Sequence, residues 1–95
     1  MSRIWMKGID YASLILYHKN VHHYKNNAGS SDVVAYGYGA RSITVEFRDG
    51  SIYLYNYKSA GAENIDEMKK LAQAGEGLDS FIDTVVKEAY SIRVR

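Results

Sequence analysis

Three histidines crowd one short stretch, at His18, His22 and His23. On a helix, His18 and His22 would stand at i and i+4, a spacing that metal sites use. No acidic residue or further histidine nearby completes a ligand set, and no His-Glu-x-x-His signature occurs, so no metal site is expected. The chain has no cysteine, and no serine sits in a Gly-x-Ser-x-Gly elbow. Ser30 and Ser31 lie in a run of loop residues, and Asp79 and Asp83 read as solvated charges on a helix. That inventory lacks a nucleophile–base pair, so the expectation is a protein that is not an enzyme and carries no cofactor. Gly75-Glu76-Gly77 precedes a helical pattern whose first amides could hold an anion, but it has no phosphate-loop lysine and reads as a tight turn.

Tyrosine is the outlier, with nine against two Phe and one Trp. Tyrosine suits half-exposed strand faces and surfaces with one wet side, and aromatic strand faces stack bases in single-strand binders. Tyr53, Tyr55 and Tyr57 alternate along one strand pattern and are the candidate stacking residues. Arg41, Arg93 and Arg95 are the candidate phosphate contacts, because guanidinium pairs with phosphate bidentately.

The elements that must position these residues follow from periodicity. The first segment is Met1 to Tyr24, in which Asp10 caps a helix running on to Tyr24, with a strand through Leu14–Tyr17 as the alternative. Residues 25–32 are a loop. Ile43 to Phe47 alternates strictly, Asp49-Gly50 suits a two-residue type I′ turn, and Ile52 to Tyr55 returns. That turn predicts Phe47 opposite Ile52, Val45 opposite Leu54 and Thr44 opposite Tyr55. The tyrosines would then lie on the face away from the aliphatic residues and need cover, which with a small core predicts a homo-oligomer. Val33 to Tyr38 is a third, antiparallel strand, joined through a turn of three, four or five residues, so the faces of Tyr36 and Tyr38 stay open. Ile65, Met68, Leu71 and Ala72 mark a helix over about 63–74. Leu78, Phe81, Ile82, Val85, Val86 and Ala89 mark a longer one packed on the sheet, leaving Ser91 to Arg95 as a basic tail. The fold class is α+β, a small antiparallel sheet of at least three strands packed by C-terminal helices, in one domain over 1–95.

Composition narrows the function classes. The 95 residues carry a net charge of +1, with no proline and no cysteine. Residues 1–31 hold four basic side chains against Asp10 alone; the remainder holds eight basic and ten acidic. A sequence-blind nucleic-acid binder normally shows a strong basic excess, whereas a compact phosphate-bearing ligand needs only two or three arginines. No apolar run is long enough for a membrane span or a signal-peptide core, so a cytoplasmic protein is expected.

The run Ser30 to Tyr38, then Ile43-Thr44-Val45-Glu46-Phe47-Arg48-Asp49-Gly50, then Ile52-Tyr53-Leu54-Tyr55, resembles the KTSC domain, a small domain found at the C-terminus of some lysyl-tRNA synthetases and also alone. The resemblance spans about residues 30–90, between a separate N-terminal segment (1–29) and the tail (91–95). Gly75 to Ile82 fills the place of the family's glycine turn, with Asp79 where Asn is usual, and the proline usual after the Tyr-x-Tyr strand is missing. It implies a binding module with RNA as its suggested partner. The layout is also similar to phage Thoeris anti-defence sponges, which sequester cyclic ADP-ribose-type signals as oligomers; no residue is carried over from them. The leading expectation is a non-catalytic binder of a nucleotide-type ligand, with an RNA-binding accessory module and a protein-interaction domain as the alternatives.

Overall fold

A computed structural model describes residues 21–95. A five-stranded antiparallel sheet runs in sequence order: β1 (His22–His23), β2 (Val33–Gly39), β3 (Ser42–Phe47), β4 (Ile52–Asn56) and β5 (Ile92–Arg93). Between β4 and β5 come α1 (Tyr57–Ala60), α2 (Ala62–Ala74), α3 (Leu78–Phe81) and a single π-helical turn, Ile82–Val86. This is the α+β class expected. No helix of the described residues is long and apolar enough to cross a membrane.

Three expected element bounds are corrected first. The helix drawn through Tyr24 does not extend over His22–His23, which pair with Tyr36 and Ala35 of β2; the remainder of that reading, including Asp10 and His18, lies outside the described residues. The long final helix is cut short, because the π turn ends at Val86 and Lys87 turns the chain away, leaving Ala89 and Tyr90 beyond it. The basic tail instead carries β5, which pairs with Tyr53 and Leu54.

The largest correction concerns register. The β3–β4 pairs are Ile43 with Tyr55, Val45 with Tyr53 and Glu46 with Ile52, one residue away from a two-residue turn. The connection is a three-residue loop, Arg48-Asp49-Gly50. The Phe47 amide donates to the Ser51 carbonyl at 2.9 Å, the Gly50 amide donates to the Phe47 carbonyl at 2.9 Å, and Gly50 has φ 92°. That is a type I turn closed by a glycine bulge. Arg48 is drawn out of the ladder by the loop before β2: its amide donates to the Asp32 carbonyl at 2.7 Å and its guanidinium to the Ser31 carbonyl at 2.7 Å. A one-residue slip moves a strand's whole side-chain set to the other face. Tyr53 and Tyr55 therefore share the face of Ile43, Val45 and Phe47. The β2–β3 turn is shorter than the three to five residues expected: pairing continues through Gly39 and Ser42, so it holds only Ala40 and Arg41, and it sets Tyr36 and Tyr38 on that same face.

The helices pack there. Ile65, Met68 and Ala72 of α2, Leu78 of α3, and Ile82 and Val86 of the π turn join Val33, Tyr36, Ile43, Val45 and Tyr55 in one core. Ala35, Thr44, Ile52 and Leu54 are buried as well, on the opposite face of the sheet.

Three polar ties connect the start of the described chain to the helices, one of them from the Asn27 side-chain amide to the Ala74 carbonyl at 3.0 Å. The Leu78 amide donates to the Tyr24 hydroxyl at 3.2 Å, and the Asn27 amide donates to the Gly75 carbonyl at 2.8 Å. Gly75 ends α2 in a left-handed conformation (φ 82°), and a Cβ added there would lie 2.5 Å from Lys25 Cβ. Gly75→Ala is expected to lose about 2 kcal/mol in urea unfolding, from conformation and collision together. Gly29→Ala, at φ 80° with open space around it, should lose less. Equal losses at the two sites would show that Lys25 moves aside freely.

Candidate functional site

The three-residue loop and the turned chain after the π turn enclose a groove of about 690 Å³. Its floor is aromatic and apolar: Phe47, Tyr53, Tyr55, Tyr90 and Ile82. Strand register supplies the first three. Lys87 supplies the fourth, because the turn it begins swings Tyr90 back over the sheet. Tyr90 packs 4.6 Å from Tyr53, centroid to centroid, and edge-on to Tyr55 at 6.2 Å; Phe47 meets Tyr53 edge-on at 5.8 Å. Edge-to-face and tilted pairs are the favoured arrangements of aromatic quadrupoles.

The rim is polar and mixed in sign, with Asp32, Arg48, Asp49, Ser51, Lys87 and Glu88. Asp49 Oδ1 accepts from the Ser51 hydroxyl at 2.6 Å and from its amide at 2.9 Å. Those two bonds, hydroxyl first, hold its carboxyl below the usual carboxylate range, with help from nearby Arg93. Arg48 lies 3.9 Å from Asp32, a long and exposed pair worth little by itself.

The sequence-predicted site residues divide into two groups. Tyr53 and Tyr55 line the groove, and the Arg93 guanidinium lies 5.5 Å from the Tyr53 ring centroid. Arg95 joins them through its backbone, its carbonyl accepting from Arg93 Nε and from the Ile52 amide. Tyr57 and Arg41 are at the far end of β4, four residues along, or about 13 Å. Tyr57 opens α1 instead of continuing the strand; its hydroxyl donates to Asp66 at 3.0 Å and its amide to the Arg41 carbonyl at 3.0 Å. The exposed tyrosine face is thus corrected to a core face, and the motive it gave for a homo-oligomer goes with it.

Sequence reasoning missed Phe47, Arg48, Asp49, Lys87, Glu88 and Tyr90. A signal was present for Asp49, since Asp followed two residues later by Ser marks a side-chain-closed turn. Other candidates fall away from the groove. His22 stacks on Tyr36 and Tyr38, with centroids 5.3 and 5.7 Å away. Among the described residues, no three His, Cys, Asp or Glu side chains gather as a metal set would. The amide at the head of α3, on Leu78, is bonded to Tyr24. Comparison with protein-family models, curated proteins and solved structures finds no match to this chain.

Tyr55 is the most perturbed of the groove's titrating groups. It is 2% exposed, and burial pushes its hydroxyl pKa up to about 12, with the neighbouring Tyr53, Tyr90 and Asp83 adding to the shift. The unfolded chain loses this proton near its ordinary value of 10.0, while the folded chain keeps it to about 12. The native state therefore binds more protons across that window, and stability falls as pH rises through it. Tyr55→Phe has no such proton. Thermal melts at rising alkaline pH should show the wild type losing Tm relative to Tyr55→Phe between about 10 and about 12. Parallel curves would place the Tyr55 hydroxyl in contact with water.

Proposed function

We propose that the protein is a small non-catalytic binder of a nucleotide-type, phosphate-bearing ligand, held in the groove between the β3–β4 loop and Tyr90. The observation that carries this reading is a groove of about 690 Å³ with an aromatic floor and two cations in its lining, Arg48 and Lys87, while a third, Arg93, lies against the Tyr53 ring. Small-molecule sites commonly run about 300–1,000 Å³, with apolar walls and a few placed polar groups. A base has aromatic walls to lie against, a phosphate has cations, and ribose hydroxyls have the Glu88 carboxylate as an acceptor.

The non-catalytic part is supported by the titrating groups. Asp49 is held low and occupied by Ser51, and Tyr55 is pushed up, so both are moved away from neutral pH, where an acid–base catalyst works best. A ligand held without chemistry suits a sequestering role of the kind the Thoeris anti-defence sponges perform, and the KTSC-like hairpin agrees with a binding module. Extended RNA is the weaker reading, because the rim alternates in sign instead of offering a continuous basic track.

Calorimetric titration with AMP, ADP, cyclic AMP and cyclic ADP-ribose tests the proposal. At least one is expected to bind at a saturable site, and Tyr90→Ala should weaken it about tenfold through loss of an aromatic wall. Absence of heat with all four, alongside a salt-sensitive gel shift with single-stranded RNA, would replace this reading with the RNA one.

A further inference from the structure

Two non-glycine residues in the described chain have positive φ, Asn26 at 56° and Lys87 at 50°. Asn26 has a local reason. Asparagine tolerates the left-handed region, and its Oδ1 accepts from the Ser31 amide at 3.0 Å, closing the loop before β2. Lys87 has no such reason. Its amide closes the π turn on the Ile82 carbonyl at 2.6 Å, and with ψ −116° it begins the next turn, in which the Ala89 amide donates to the Val86 carbonyl at 2.8 Å. Those angles are those of the first central residue of a type II′ turn, a position that favours glycine. A long side chain there holds the backbone in a sparsely populated, strained region.

The turn itself has a structural purpose, since it returns Tyr90 to the sheet, and glycine would serve that purpose without strain. Among the described residues, the Lys87 ammonium has no hydrogen bond or salt bridge to explain the lysine. Lys87 lines the groove instead, beside the aromatic floor and on the same rim as Arg48. Strained residues and π turns recur where a side chain must be presented to a ligand.

We propose that Lys87 is the groove's principal anion contact, holding the ligand's phosphate by charge from a backbone that is strained to present it. The proposal rests on the nucleotide-binding reading and assigns within it the residue that recognises phosphate. Lysine suits this role as a point charge that reaches phosphate from a flexible stem.

Lys87→Gly and Lys87→Ala separate the two parts of the claim, with adenosine 5′-monophosphate and adenosine as the probes. Lys87→Gly removes both strain and charge, so it should melt several degrees above the wild type and bind the monophosphate about tenfold more weakly. Lys87→Ala removes the charge and keeps the strain, so it should weaken the monophosphate equally without the gain in melting temperature. Adenosine affinity should be unchanged in both. Lys87→Gly that binds the monophosphate as tightly as the wild type, or melts no higher, overturns the assignment of Lys87 while leaving the groove reading intact. A wild type that binds neither these two probes nor ADP, cyclic AMP or cyclic ADP-ribose overturns both.

Discussion

The hydrogen bond from the Phe47 amide to the Ser51 carbonyl, 2.9 Å long, decides which side of the sheet every side chain of β4 occupies. Strand side chains alternate, so changing the connection from two residues to three moves Tyr53 and Tyr55 together from one face of the sheet to the other. The three-residue choice sets them with Ile43 and Val45 beneath the helices. The groove then forms where the helical cover ends and the tyrosines emerge beside the loop. With a two-residue turn, Ile52 and Leu54 would occupy that face and the aromatic floor would not exist.

What selects the longer loop is polar chemistry at its flanks. Arg48 reaches the loop before β2 through both its amide and its guanidinium, and Asp49 folds back on Ser51. Each contact satisfies groups that would otherwise need water, and each pulls a residue out of the ladder. The same residues form the groove's rim. Structural and candidate recognition roles therefore share one short segment, and its polar side chains are held before any ligand arrives, which lowers the ordering cost of binding.

The strands and α2 were legible because their periodicity is clean. Ile43 to Phe47 alternates, and Ile65, Met68 and Ala72 recur at helical spacing; both became elements at nearly the expected bounds. Register was not legible, because Asp-Gly is compatible with a two-residue turn and with the last two positions of a three-residue one. The contacts that decide between them, Arg48 to Ser31 and Asp32, join residues sixteen or seventeen apart in sequence. The last helix misled for a related reason. Val85 and Ala89 continue the apolar period, but Val85 is 50% exposed once the chain leaves the helix at Lys87. No local pattern announces a lysine in a glycine conformation. Of the candidate binding residues, Tyr53, Tyr55 and Arg93 fall at the groove because they share the β4–β5 pairing, and Arg41 and Tyr57 fall elsewhere because Asn56 caps α1 and ends the strand.

Among the described residues, the outermost strand on the β4 side, Ile92–Arg93, is two residues long and half charged. Exposed strand edges are templates on which further chains can add, and natural sheets guard them with short strands and cationic side chains. Here β4, rich in tyrosine and aliphatic residues and free of charge from Ile52 to Asn56, is shielded by a strand too short to recruit another. The C-terminal segment thus covers the β4 edge in the manner natural sheets use against edge-to-edge addition, and the same segment sets Arg93 against Tyr53 at the groove.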